Sequence, residues 1–133
     1  MNEIVVDATG VTLGRLASFA AKKALLGNKV TIVNCQESVI TGRIGATVET
    51  YKAKVGRGGA SQQGPNFPRQ AERIVKRTVR GMLPHRQERG RKALDNVICY
   101  SGVPAEYADK KKNLQSREKT VSFISLNKLT KEL

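Results

Sequence analysis

The chain has 133 residues, 39% of them hydrophobic, and carries 24 Lys/Arg against 11 Asp/Glu for a formal net charge of +13. That length suits a single domain, residues 1–133, burying roughly 65–70% of its unfolded surface, and the apolar content excludes a disordered basic tail. Two cysteines and one histidine are too few for a disulfide scaffold or a structural zinc site; Glu3 and Asp7 sit where a signal peptide is positive, and no run nears the ~20 apolar residues of a membrane span.

Residues 4–8 form a short β-rich run. Thr9-Gly10 follows, then a helical pattern over residues 11–26 in which Leu13, Leu16, Ala17, Ala20 and Ala24 share one face and Arg15, Ser18 and Lys22 the other. Gly27-Asn28 is suited to end that helix. Residues 30–35 read as a second strand and Val39-Ile40-Thr41 as a third, ahead of a helix with Val48, Tyr51 and Val55 at i, i+3 and i+7. Residues 56–64 are a loop by composition, and Pro68 suits the first position of the next helix.

In that next helix, at 100° per residue, Arg69, Arg73, Lys76 and Arg80 fall within about 60° of one another with Arg77 flanking. Ala71, Ile74, Val75, Thr78 and Met82 take the opposite side. Pro84 breaks the pattern, residues 86–94 read as a short basic helix, residues 97–100 as a fourth strand and residues 121–124 as a last strand or turn; Ser125 is placed to cap a helix over 126–133. Nearly all-apolar strands alternating with helices predict an α/β fold in three layers, with a parallel sheet covered on both faces.

Charge is concentrated in the middle. Residues 41–92 hold 13 Lys/Arg and 3 Asp/Glu, a net of +10, against +1 for residues 1–40 and +2 for residues 93–133. A folded domain gains nothing from such self-repulsion, so the excess implies a polyanionic partner. The stripe is mostly Arg, whose planar fork pairs bidentately with phosphate. With 5% aromatics and no Trp, a base-stacking platform is excluded, leaving backbone and shape recognition of folded RNA.

Other motifs carry less. The turn Asp7-Ala-Thr-Gly10-Val-Thr-Leu-Gly14-Arg15 lacks G-x-G-x-x-G spacing and Gly-Lys-Ser/Thr, and Asp7 would set a carboxylate beside any pyrophosphate. A strand-to-helix turn capped by Thr9 or Thr12 is the plainer reading. His85 has no nucleophile or paired carboxylates near it in sequence, which leaves a phosphate or ribose contact or loop packing. Arg57, in a glycine loop, is a further candidate contact; Lys110, Lys111 and Lys112 read as a solvated run.

Val79-Arg80-Gly81-Met82-Leu83-Pro84, followed by Gly90-Arg91 and, after a spacer, Val97-Ile-Cys-Tyr100-Ser-Gly102, resembles large-ribosomal-subunit protein thirteen. Val6-Asp7-Ala8, Gly10, Gly14-Arg15-Leu16-Ala17 and Val33-Asn34-Cys35 resemble the opening βαβ of that family. The start close to the first strand and Pro84-His85-Arg86 are more similar to archaeal or eukaryotic-type members. The resemblance implies a three-layer α/β/α fold with a four-stranded parallel sheet of order 3-2-1-4. It also implies a structural, non-catalytic role in the large subunit, with ribosomal RNA binding and action early in assembly.

The expected RNA contacts are Arg69, Arg73, Lys76, Arg77, Arg80, Arg86, Arg89, Arg91 and Lys92, with Arg57 and His85 secondary. The expected partners are large-subunit ribosomal RNA and neighbouring large-subunit proteins in a cytoplasmic particle, with no cofactor, membrane or small-molecule substrate. Two rivals stand beside this reading, a free RNA-binding translational regulator and a small Rossmann-like nucleotide-binding protein. If strand order is 3-2-1-4, strand one separates Cys35 from Cys99 by roughly 10 Å, beyond disulfide reach, so both thiols are expected to be free.

Overall fold

The computed structural model describes residues 3–56, 69–108, 112–113 and 122–132. In chain order its elements are β1 (Glu3–Asp7), α1 (Leu13–Leu25), β2 (Lys29–Val33), β3 (Val39–Thr41), α2 (Ile44–Gly56), α3 (Ala71–Gly81), α4 (Glu88–Asp95), β4 (Val97–Cys99), β5 (Lys112–Asn113), β6 (Phe123–Ser125) and α5 (Leu126–Glu132), with a 3-10 turn at Cys35–Glu37 and another at Ala105–Tyr107. The mixed α/β class expected from the strand–helix alternation is what forms.

β1 and β2 pair in parallel, Ile4 opposite Val30 and Val6 opposite Ile32, with α1 as the crossover between them. The outer positions differ from expectation. β4 pairs in parallel with β2, Ile98 opposite Thr31, and the two-residue β5 lies along β1. Val39–Thr41, expected as the third sheet strand, pairs antiparallel with β6 instead, Ile40 opposite Ile124. The cause is local: Asn34 is left-handed at φ 56° and a 3-10 turn follows it, after which Val39 N–H donates to Val11 O at 3.0 Å rather than to β2. β4 then takes the edge of β2 thus left open.

That correction also removes the expected gap between the cysteines. Cys35 N–H donates to Tyr100 O at 3.1 Å and Tyr100 N–H to Ile32 O at 2.8 Å, so Cys35, just beyond β2, lies alongside the segment that holds Cys99. Both are free thiols, although strand one does not stand between them.

α1 follows its wheel. Leu13, Leu16, Ala17, Ala20, Ala21 and Ala24 are buried, while Arg15, Ser18 and Lys22 are exposed. The helix ends in a Schellman motif: Gly27 N–H donates to Ala24 O at 3.1 Å and Asn28 N–H to Lys23 O at 3.2 Å. Gly27 sits at φ +94°, a conformation that a Cβ would oppose. Thr12 occupies the N-cap of α1 but makes no side-chain cap bond, and the Thr9 hydroxyl is bonded to Asp7, so neither threonine caps the helix.

The main core gathers Leu16 of α1, Ile32 of β2, Ile74 of α3 and Leu126 and Leu129 of α5, all at most 1% exposed. Each such side chain contributes about 1.5–3 kcal/mol. α1, α3 and α4 form the layer over one sheet face. On the opposite face Val5 and Val33 meet Tyr107, with Tyr100 and Val103 packed alongside. Among the described residues that face is therefore covered by the segment after β4, with its 3-10 turn, rather than by an α-helix. Val48 and Tyr51 of α2 lean on the core, yet α2 buries none of its residues fully. Ser125 Oγ accepts from Lys128 N–H at 3.4 Å, in the capping position expected for α5.

Candidate nucleic-acid interface

α3 is anchored by Ala71, Ile74, Val75 and Val79, all buried against α1 and β4. Burying that stripe fixes the rotation of the helix and turns its cations outward. Arg73 and Arg80 are exposed, while Lys76 and Arg77 are half-buried, their aliphatic stems lying along the body. Successive cations on this face rise about 4.5–6 Å along the helix axis.

Two details depart from expectation. The helix begins at Ala71 with Gln70 as an extended N-cap at φ −88°, ψ 140°, so exposed Arg69 stands ahead of the helix rather than on its face. Met82 is 44% exposed because it is the C-cap residue, where 3.6-residue periodicity stops; Val79 takes the buried place. Arg57 and the rest of residues 57–68, Pro68 included, lie outside the described residues, as do Lys110 and Lys111.

The chain then turns sharply between α3 and α4, and backbone contact holds the turn closed. An added Cβ on Gly90 would lie 1.9 Å from Pro84 O and 2.2 Å from Pro84 C, so α4 rests directly on the Pro84 peptide. His85 is part of the same closure. Its Nδ1 lies 3.2 Å from Arg80 O and 3.3 Å from Leu83 O; both partners are carbonyls, so Nδ1–H donates to the last turn of α3. His85 is thus occupied at one nitrogen in packing the turn.

Arg86 is exposed on this turn, and Arg89, Arg91 and Lys92 are exposed on α4. α4 is held through buried Gly90 and Ala93. Arg89 Nε donates to Gln87 Oε1 at 3.2 Å. Lys92 pairs with Glu88 at 3.3 Å, but both side chains are at least 75% exposed, and such a pair yields readily to another anion. Among the described residues no ion pair ties Arg73, Lys76 or Arg80 to a carboxylate. Glu72, the acidic residue of the first turn of α3, instead accepts a hydrogen bond from the Ser101 hydroxyl.

Arg77 leaves the line of Arg73 and Arg80 to line a cleft of about 490 Å³ with Thr12, Gly14, Ile40, Tyr51 and Lys54. Lys54 Nζ stands 5.0 Å from the centroid of the Tyr51 ring, and burial pushes the Tyr51 phenol above its ordinary pKa. Lys54 was not among the expected contacts. The signal for it was its position three residues after Tyr51, on the same helical face.

The glycine turn after β1 has a structural account. Asp7 Oδ1 accepts from Thr9 N–H at 3.0 Å, Thr9 Oγ1 at 2.6 Å and Asn34 Nδ2 at 3.1 Å. Its carboxylate ties the end of β1 to the left-handed residue that follows β2.

Comparison with known proteins gives the family. Residues 1–106 match the family described as Ribosomal protein L13. The large ribosomal subunit protein uL13 of Natronomonas pharaonis is 39% identical over 132 residues, covering 98% of this chain and 90% of that protein. That of Methanocaldococcus jannaschii is 38% identical over 132 residues, covering 97% and 96%. That of Methanococcoides burtonii is 47% identical over 105 residues, covering 79% and 75%. With matches of this extent, on a chain whose basic helix, proline turn and second basic helix are contiguous, the protein belongs to the ribosomal protein L13 family.

Proposed function

We propose that this chain is a structural constituent of the large ribosomal subunit, not an enzyme, and that it binds ribosomal RNA through the outward face of α3 and the basic segment after it. One observation carries this reading. α3 buries Ala71, Ile74, Val75 and Val79 and leaves Arg73 and Arg80 exposed, without carboxylate partners among the described residues. A rigid mount for unneutralised cations suits a phosphate backbone, because charge-assisted bonds to phosphate replace the missing counter-charges. The names of the relatives, each a large ribosomal subunit protein, favour the ribosome as the source of that RNA, and neighbouring large-subunit proteins as further partners.

In this reading Arg73, Lys76 and Arg80 make the central contacts. Arg69, Arg77, Arg86, Arg89, Arg91 and Lys92 extend them, and Arg57 is secondary. His85 serves chiefly to hold the turn that presents Arg86, and binding belongs early in subunit assembly. The test is sedimentation of tagged protein from cells through a sucrose gradient. Cosedimentation with large subunits and their precursors supports the proposal; a largely ribosome-free profile would favour the free regulator. The nucleotide-binding rival finds no support at the β1 turn, where the Asp7 carboxylate is already bonded to Thr9 and Asn34.

A further inference from the structure

The corrected sheet brings together two thiols to which RNA binding assigns no role. We propose that Cys35 and Cys99 form a redox modification site, which closes to an intramolecular disulfide when the protein meets a low-molecular-weight disulfide such as oxidised glutathione.

The placement comes from backbone pairing. Cys99 ends β4 opposite Ile32 of β2. Three residues beyond Ile32, Cys35 donates its N–H to Tyr100 O at 3.1 Å. Both residues pack into the same core cluster, on one side of the sheet. The side chains converge as well. Cys35 Sγ lies 3.7 Å from the carbonyl oxygen of Ile32, the residue opposite Cys99.

The two differ in access, which divides the chemistry between them. Cys99 is half-buried and Cys35 fully buried, so Cys99 is the entry point. Its thiolate attacks one sulfur of oxidised glutathione, forming a Cys99–glutathione mixed disulfide and expelling one glutathione thiolate. Cys35, after losing its proton to solvent base, attacks Cys99 Sγ. This step forms the Cys35–Cys99 bond and releases the second glutathione. The protein loses two electrons and two protons, and the reagent is reduced to two glutathiones. The hydrogen bond with Cys99 and burial hold the Cys35 thiol protonated, its pKa well above the ordinary range, which makes the second step the slow one.

The site lies under the helix proposed to face RNA. α3 packs against both the 3-10 turn that starts at Cys35 and β4, and Glu72 of α3 hydrogen-bonds to Ser101, two residues beyond Cys99. A bridge here ties together the floor on which α3 rests.

The experiment incubates the full-length reduced protein, dilute and folded, with oxidised glutathione, then reads intact mass, free-thiol count and a peptide map. The expected product is a monomer lighter by two hydrogens, with its thiol count reduced from two to none, a Cys35–Cys99 linked peptide, and reversal by dithiothreitol. Cys35→Ser should stop at a retained glutathione on Cys99, and folded Cys99→Ser should not react. A persistent glutathione adduct on the unsubstituted protein, a disulfide-linked dimer, or two thiols still free when the urea-unfolded chain has oxidised would each overturn the proposal. None of these readouts involves RNA, so their outcome is separate from that of the ribosomal reading.

Discussion

Gly90→Ala adds one methyl group at the point where α4 meets the turn that follows α3. The new Cβ would stand 1.9 Å from Pro84 O, 2.2 Å from Pro84 C and 2.8 Å from His85 N, so its approach to the carbonyl oxygen is about 1.5 Å short of ordinary contact. All three atoms are backbone, and no side-chain rotation relieves the overlap; either α4 or the Pro84 peptide has to move. Overpacking of this kind costs about 3 kcal/mol when the neighbours cannot yield, which lowers the melting temperature of a chain this size by about 10 °C. The displacement also weakens the His85 bonds to Arg80 O and Leu83 O, so Arg86 loses its fixed position relative to α3. Gly14→Ala is the control. A Cβ at Gly14 meets nothing within 4 Å, and in α1 alanine gains up to about 1 kcal/mol of helix propensity. Thermal unfolding followed by circular dichroism reads both variants. A Gly90→Ala protein melting within 1–2 °C of the parent, or one no worse than Gly14→Ala, would refute the claim that this glycine is required by close backbone approach.

Asp7→Ala removes the acceptor for Thr9 N–H, the Thr9 hydroxyl and Asn34 Nδ2. It should cost about 2 kcal/mol, read as a lower urea midpoint at unchanged slope; an unchanged midpoint would show that the turn holds without it. The hydrogen bond with Cys99 and burial raise the pKa of the Cys35 thiol, and burial raises the Tyr51 and Tyr107 phenols. These groups ionise first in the unfolded chain, which then binds fewer protons. Their contribution is complete below the unfolded thiol pKa of about 8.5 and declines as pH rises past it. Urea unfolding at successive pH values should show that decline, and Cys35→Ala should flatten its first part; a pH-independent midpoint between about pH 8 and 10 would contradict the assignment. Arg73→Ala and Arg80→Ala should each weaken ribosomal RNA binding and reduce its log–log salt dependence by about 1; a salt slope equal to the parent's would remove that residue from the phosphate contacts.

The legible parts of this fold were those written in strong periodicity. The α1 wheel named five of its six buried residues, missing only Ala21, Gly27-Asn28 marked its end, and the Arg/apolar segregation over residues 73–80 gave the orientation of α3. These are local consequences of helix geometry and needed no knowledge of the rest. Sheet order was not of that kind. Val39-Ile40-Thr41 has the composition of a sheet strand, and nothing in three residues distinguishes pairing with β2 from antiparallel pairing with β6. The deciding features are the left-handed Asn34 and the turn after it, which appear in sequence only as a tolerant residue type. Lys112-Asn113 became β5 against a polar composition, because backbone pairing with β1 outweighs strand propensity over two residues. His85 read equally well as an RNA contact or as packing; its bonds to α3 depend on a turn closed from Gly90, five residues on. Lys54 escaped notice because its interest comes from a cleft shared with Arg77, and that depends on α2 and α3 lining the same cleft.

The central claim is that the cations on the outer face of α3 dock the protein on ribosomal RNA. Its most direct test is the incorporation of tagged Arg73→Glu/Arg80→Glu protein into large subunits, with thermal unfolding of the purified variant as the check on folding. Both side chains are exposed, so the melting temperature should stay within a few degrees of the parent's, while the tagged protein in the large-subunit fraction should fall by at least about tenfold for the loss of two phosphate contacts. Incorporation equal to that of the unsubstituted protein, with the fold intact, would contradict the account.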